Sequence, residues 1–119
     1  MKKIKLTPVK IKLMDIGSIV DAENEFREKV WYNRCHLRTK QGLKNGDVKL
    51  VKKWKPEYSM QNLISKDVWD RAKKAAKKVE KKYGKKDLGP YINYDWGFVC
   101  GKLSAIRWVL GDEWDQLDT

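Results

Sequence analysis

The sequence predicts an α+β domain: a short antiparallel β-hairpin with a helix before it and two longer helices after it. Three observations carry that reading. Apolar residues recur at three- and four-residue steps along residues 66–83 and 96–110, the period of a helix. Along Met1–Met14 they alternate with lysine, the period of a strand. Between His36 and Trp54, the segments HLRT and DVKLVKKW flank KQGLKNG, a two-glycine loop with an Asn-Gly turn signal. At 119 residues the chain is expected to form one domain, 1–119, able to bury about two-thirds of its unfolded surface.

In chain order, Ile4, Leu6, Val9, Ile11 and Leu13 alternate with lysines and hinge at Thr7-Pro8, a half-buried strand or strand pair. Ser18 reads as the N-cap of a helix from about Ile19 to Tyr32, with Ala22, Phe26 and Val30 facing inward. It ends in Trp31–Arg38, a run of aromatic rings, an amide, two arginines and the only histidine. The hairpin follows, stopped by Pro56, and Glu57–Ile64 reads as connector. Ser65 then caps a helix whose stripe is Val68, Ala72, Ala75 or Ala76, Val79 and Tyr83, closed by Gly84. Lysines cover its other sides. Gly89-Pro90 turns the chain into the last helix, with Asn93 as its N-cap and Gly111 just past its end.

That last helix sets the hardest question. Trp96, Val99, Leu103, Ile106 and Leu110 form one stripe, and Phe98, Ala105, Trp108 and Val109 a second apolar side, so both flanks are expected to be covered. Gly97 and Gly101 sit four apart inside it, each costing roughly 1 kcal/mol against Ala. Close approach of another backbone, in a helix crossing or a twin helix, would offset that, as would a flat ligand. With the acidic tail that follows, this favours a homo-oligomer over a monomer. Lys102, Ser104 and Arg107 are the polar side chains within the helix, and a guanidinium among so many apolar groups requires an anion. A carboxylate of the tail, Asp112 or Asp115, is one candidate, and a ligand phosphate the other.

Net charge is +11, with the cationic excess in residues 34–86 and a net acidic segment after residue 87. Such a layout points to a phosphate-bearing partner, either a phosphorylated small molecule or a nucleic acid. No apolar run approaches the ~20 residues that span a bilayer, and MKKIKL lacks a signal-peptide core. The expectation is a cytoplasmic protein with no membrane partner. Cys35 and Cys100 suit that compartment as thiols.

No metal or cofactor is expected. Cys35, His36 and Cys100 lack metal-ligand spacing, and no third group marks a nucleophilic dyad, so no catalytic residues are assigned. Asp112, Glu113, Asp115 and Asp118 could hold a hydrolytic metal, or pair with lysines. The fuller constellation is for binding. Only five of the 27 basic residues are arginines, and Arg34, Arg38 and Arg107 lie close in sequence to Trp31, Tyr32, Trp96 and Trp108. Guanidinium suits bidentate phosphate contacts and indole suits stacking on a base. Asn33, Arg34, Arg38, Trp96, Lys102, Ser104, Arg107 and Trp108 are therefore the candidate ligand-binding residues. There is no glycine-rich phosphate loop.

WYNRCHLR, YGKKDLGPYINYDWG and GKLSAIRWVLGDEWDQLDT together resemble a family of small bacterial and phage proteins, over roughly the last three-quarters of the chain. In plan, a short antiparallel sheet followed by two long helices, the chain is also similar to the phage Thoeris anti-defence proteins that trap cyclic nucleotide signals. That resemblance implies a non-enzymatic protein sequestering a nucleotide-type molecule in the host cytoplasm. The alternatives are a sequence-tolerant DNA- or RNA-binding protein, on charge, and a nucleotide or nucleic-acid hydrolase working through the acidic cluster.

Overall fold

A helix that begins at Ile16 and ends only at Asn45 runs through the middle of the protein, and the other elements pack along it. The computed structural model describes residues 12–58 and 62–114; the alternating segment expected as a strand lies almost wholly outside them. Helix α1 (Ile16–Trp31) passes into a π-helical turn (Tyr32–Leu37) and then α2 (Arg38–Asn45). The N-cap of α1 is Asp15 rather than Ser18: its carboxylate accepts from the Ser18 amide at 2.7 Å and from the Ser18 hydroxyl at 3.1 Å. Those two bonds hold the Asp15 carboxyl below its ordinary pKa.

The antiparallel hairpin is not formed. His36–Thr39, expected as its first strand, continues the helix, and Asn45-Gly46 serves as the end of α2, with Gly46 left-handed at φ 82°. Gly42 lies buried inside α2 because Val48 folds back on it; a Cβ there would sit 2.6 Å from a Val48 methyl. With the turn signal spent on a helix end, strand β1 (Lys49–Val51) has no strand before it to pair with among the described residues. It pairs instead with a later one. Strand β2 (Leu63–Ser65) lies parallel to it, Leu50 opposite Ile64. The described residues are thus mostly helical with one small two-stranded sheet, α+β in the coarse sense only.

β2 leads directly into α3 (Lys66–Tyr83), where the Ser65 hydroxyl accepts from the Val68 amide as expected of an N-cap. The buried stripe is Trp69, Ala76 and Val79; Val68, one residue earlier, points to solvent. A single 3₁₀ turn (Lys85–Leu88) and a cis Gly89-Pro90 bond then reach α4 (Asn93–Val109). Gly111 closes α4 in the predicted place: with φ 114°, its amide donates to Trp108 and that of Asp112 to Arg107. This is the Schellman arrangement, which satisfies two otherwise orphaned carbonyls.

Two small cores result, one on each side of the central helix. Tyr32, Ala76, Val79 and Leu88 form the first, joining the π turn to α3. Val30, Val99 and Leu103 form the second, joining α1 to α4. The expectation that both flanks of α4 are covered fails. One side packs on α1, while Tyr94, Phe98, Trp108 and Val109 on the other face solvent. No helix among the described residues is long and apolar enough to cross a membrane.

Candidate functional site

Arg34, Arg38, Gln41 and Asn45 follow one another at helical spacing across the π turn and α2, forming a polar wall. Pro90, Tyr91 and Trp96 face it, and Asp47 and Val48 close one end. Between them lies an open cleft of about 750 Å³. Lys40 and Lys44 add two more cations, so its lining carries four basic side chains against the single carboxylate of Asp47. A π turn widens the helix by one residue and is frequent at binding sites.

The aromatic wall is held by one amide. Asn33 Nδ2 donates to the carbonyls of Lys29 and Leu88, both at 2.9 Å, and Oδ1 accepts from the Tyr91 amide at 2.8 Å. Gly89 lies between those contacts at φ 93°, where a Cβ would meet Asn33 Oδ1 at 2.5 Å. The Tyr91 hydroxyl donates to the Asp87 carbonyl, and burial pushes its pKa up. Tyr91 is therefore fixed at both ends. Trp96 packs half-buried against the second core, leaving part of its indole on the cleft.

Of the eight residues expected to bind a ligand, Asn33, Arg34, Arg38 and Trp96 line this cleft; Lys102, Ser104, Arg107 and Trp108 do not. Asn33 works as the clamp just described, its polar atoms committed to backbone. Lys102 Nζ lies over the rings of Phe98 at 4.3 Å and Phe26 at 5.2 Å. Trp108 packs edge-on to Trp114, their centroids 4.9 Å apart. Sequence reasoning missed Lys40, Gln41, Lys44, Asn45 and Tyr91. The signal for Gln41 and Asn45 was the 34–38–41–45 spacing, hidden once HLRT is read as a strand.

Arg107 has a partner that neither alternative named. Its Nε lies 3.4 Å from Glu23 Oε1 on α1, with side chains 19% and 16% exposed. With Arg34 it lines a smaller cavity of about 220 Å³ between α1 and α4, beside the larger cleft. Arg107→Ala is expected to cost about 1–2 kcal/mol, between the values of exposed and buried pairs. Most of that loss should be shared with Glu23→Gln in a double-mutant cycle by urea denaturation. Additive losses would show that the pair contributes nothing.

His36, on the inner side of the π turn, is 6% exposed and enclosed by rings. Trp69 stacks on it at 5.3 Å between centroids, Trp31 at 6.2 Å, and Tyr32 tilts against it at 5.2 Å. Its Nδ1 is buried with no hydrogen-bond partner among the described residues. Burial lowers its pKa; nearby Glu80 opposes that shift and Lys40 adds to it. The Tyr32 hydroxyl donates to Glu80 at 2.6 Å, and neither Tyr32 nor His36 lines the cleft.

Among the described residues no cluster of three or more His, Cys, Asp or Glu side chains could hold a metal ion. Asp112 and Glu113 are exposed, and the rest of the acidic tail lies outside the described residues. No family model, curated protein or solved structure matches the chain.

Proposed function

We propose that the protein is a non-enzymatic binder of a phosphate-bearing ligand, held in the cleft between the π turn and α2 on one side and Tyr91–Trp96 on the other. The observation that supports this best is the convergence of Arg34 and Arg38, a helical turn apart, with Lys40, Lys44 and a half-exposed indole on one concave surface. The arginines would take the phosphate as a forked pair, and Trp96 would stack on a base. Gln41 and Asn45 offer amides for the sugar or base edge. Sequestering of a nucleotide-type immune signal is one role such a binder could have, although the antiparallel sheet on which the likeness to phage anti-defence proteins rested is not formed.

The exposed lysines of α3 favour the second reading, a nucleic-acid-binding protein that uses the cleft and this face together. One set of measurements separates the two. Nucleotide retained through purification is sought by the 260/280 absorbance ratio and mass spectrometry of the denatured supernatant, and fluorescent single-stranded DNA is titrated at low and high salt. Arg38→Ala is expected to weaken nucleotide binding by about 1.5–3 kcal/mol, the range of a charge-assisted hydrogen bond. Neutralising Lys73, Lys77 and Lys81 together should leave it within a few-fold. Tight DNA binding, abolished by the triple change and strongly salt-dependent, would replace the small-ligand reading. Neither nucleotide nor DNA binding would reject both.

A further inference from the structure

Four of the five arginines gather along the central helix and α4, while the fifth, Arg71, is on α3. Arg34 and Arg38 line the cleft. Arg27, Arg34 and Arg107 line the neighbouring cavity of about 220 Å³, so Arg34 belongs to both spaces. Helical spacing produces this arrangement. Arg27, Val30, Trp31 and Arg34 step by three, one and three residues along α1 into the π turn, and Leu103 and Arg107 are one turn apart on α4. Val30 and Leu103, both buried, give the cavity an apolar lining between the guanidiniums. Charges set against such a surface are screened less than charges in open water.

In a chain that meets water mostly with lysine, the choice of arginine here is informative. Guanidinium is more weakly hydrated than ammonium and forks onto phosphate, which suits it to partly desolvated anion sites. The contacts within the chain hold two of these forks in place. Arg27 Nη2 donates to the Asn24 amide oxygen at 2.6 Å, and because that amide is neutral it orients the guanidinium without cancelling its charge. Glu23 meets Arg107 Nε at 3.4 Å and offsets that one charge. No carboxylate among the described residues lines the cavity itself. Arg27 lines the cavity and not the cleft, and Arg38 the cleft and not the cavity. The two stand about 16 Å apart along the helix axis. A ligand that engages both spaces must therefore carry anionic groups at two separate positions.

We propose that the cavity is a second anion subsite of the cleft, joined to it through Arg34, and that the ligand is a nucleotide with phosphates at two separate positions. The inference rests on the cleft being a nucleotide site. Calorimetric titration of the intact chain at fixed ionic strength compares adenosine 5′-monophosphate with adenosine 3′,5′-bisphosphate, adenine serving because stacking tolerates any base. The bisphosphate is expected to bind at least roughly ten-fold more tightly, the value of one charge-assisted contact. Arg27→Ala should remove most of that ratio. Lys73→Ala, which deletes one charge on the exposed side of α3, should keep it. A second readout needs no change at an arginine. Exposed Cys35 lines the cavity, so in a Cys100→Ala background saturating bisphosphate should slow its alkylation by iodoacetamide several-fold, and saturating monophosphate should not. Equal affinities for the two compounds, with both lost in Arg38→Ala, would overturn the second subsite and leave the cleft reading standing. A ratio that survives Arg27→Ala, or alkylation that the bisphosphate does not slow, overturns it as well. Binding of neither compound removes the cleft reading and the subsite together.

Discussion

Asn33→Ala is expected to cost about 2–4 kcal/mol, far more than its half-buried position suggests. The substitution leaves the Leu88 carbonyl and the Tyr91 amide without their partner, at about 1–3 kcal/mol for each buried group that stays unsatisfied. Leu88 belongs to the first core and Tyr91 packs on the second, so this one amide ties both to the central helix. Asn33→Asp should be no better. Its carboxylate could still accept from Tyr91, but would turn an oxygen toward the carbonyls of Lys29 and Leu88 where a donor now sits. Urea denaturation followed by tryptophan fluorescence measures both variants. An Asn33→Ala midpoint within roughly 0.5 kcal/mol of wild type, the range of ordinary surface changes, would remove the clamp from the account. Loosening Tyr91 and Trp96 should also weaken any ligand in the cleft, in proportion to the lost order of that wall.

How far the sequence reveals this arrangement depends on whether a segment's signal is local. The caps and ends are local, and Ser65, Gly84 and Gly111 sit where their chemistry predicts, but the N-caps expected at Ser18 and Asn93 fall instead on Asp15 and Ile92. The stretch 36–54 is not. HLRT is too short for its periodicity to decide between strand and helix, and Gly42 reads as a loop residue until Val48 is seen to need the space above it. Reading that segment as helix is what aligns Arg34, Arg38, Gln41 and Asn45, so an error in secondary structure became an error in the site. α4 misled in another way. Its apolar residues do surround it, but composition cannot tell which of its sides the chain covers: Val99 and Leu103 are buried, while Tyr94, Phe98 and Trp108 face solvent. Arg107 did need an anion; Glu23, 84 residues earlier, was invisible until α1 and α4 were placed antiparallel.

His36→Phe is expected to stabilise the protein at neutral pH and to remove its sensitivity to mild acid. The ring already behaves as an aromatic core residue, stacked on Trp69 and Trp31 and tilted against Tyr32. What it adds is a buried Nδ1 with no partner among the described residues, worth about 1–3 kcal/mol of destabilisation. Phenylalanine keeps the stacking and deletes that atom. The pH dependence follows from the direction of the shift. Burial, the main cause, puts the folded pKa below the ordinary histidine value, so the native state binds fewer protons than the unfolded chain. Stability is full above ~6.5, the unfolded value. It falls as pH drops from there toward the folded value, by ~1.4 kcal/mol for each unit that separates them. Glu80 limits the effect and Lys40 extends it. The neighbouring Tyr32 hydroxyl, pushed up to about 12 by burial and by Glu80, keeps its proton throughout and contributes no slope of its own. Denaturation midpoints of wild type and His36→Phe between about pH 5 and 6.5, above the carboxylate range, therefore isolate this one ring. Any overpacking by the slightly larger phenylalanine would shift the whole curve without changing its slope. Equal slopes in the two proteins would mean that His36 takes up its proton in the folded state, and that the enclosure by Trp31, Tyr32 and Trp69 opens to admit it.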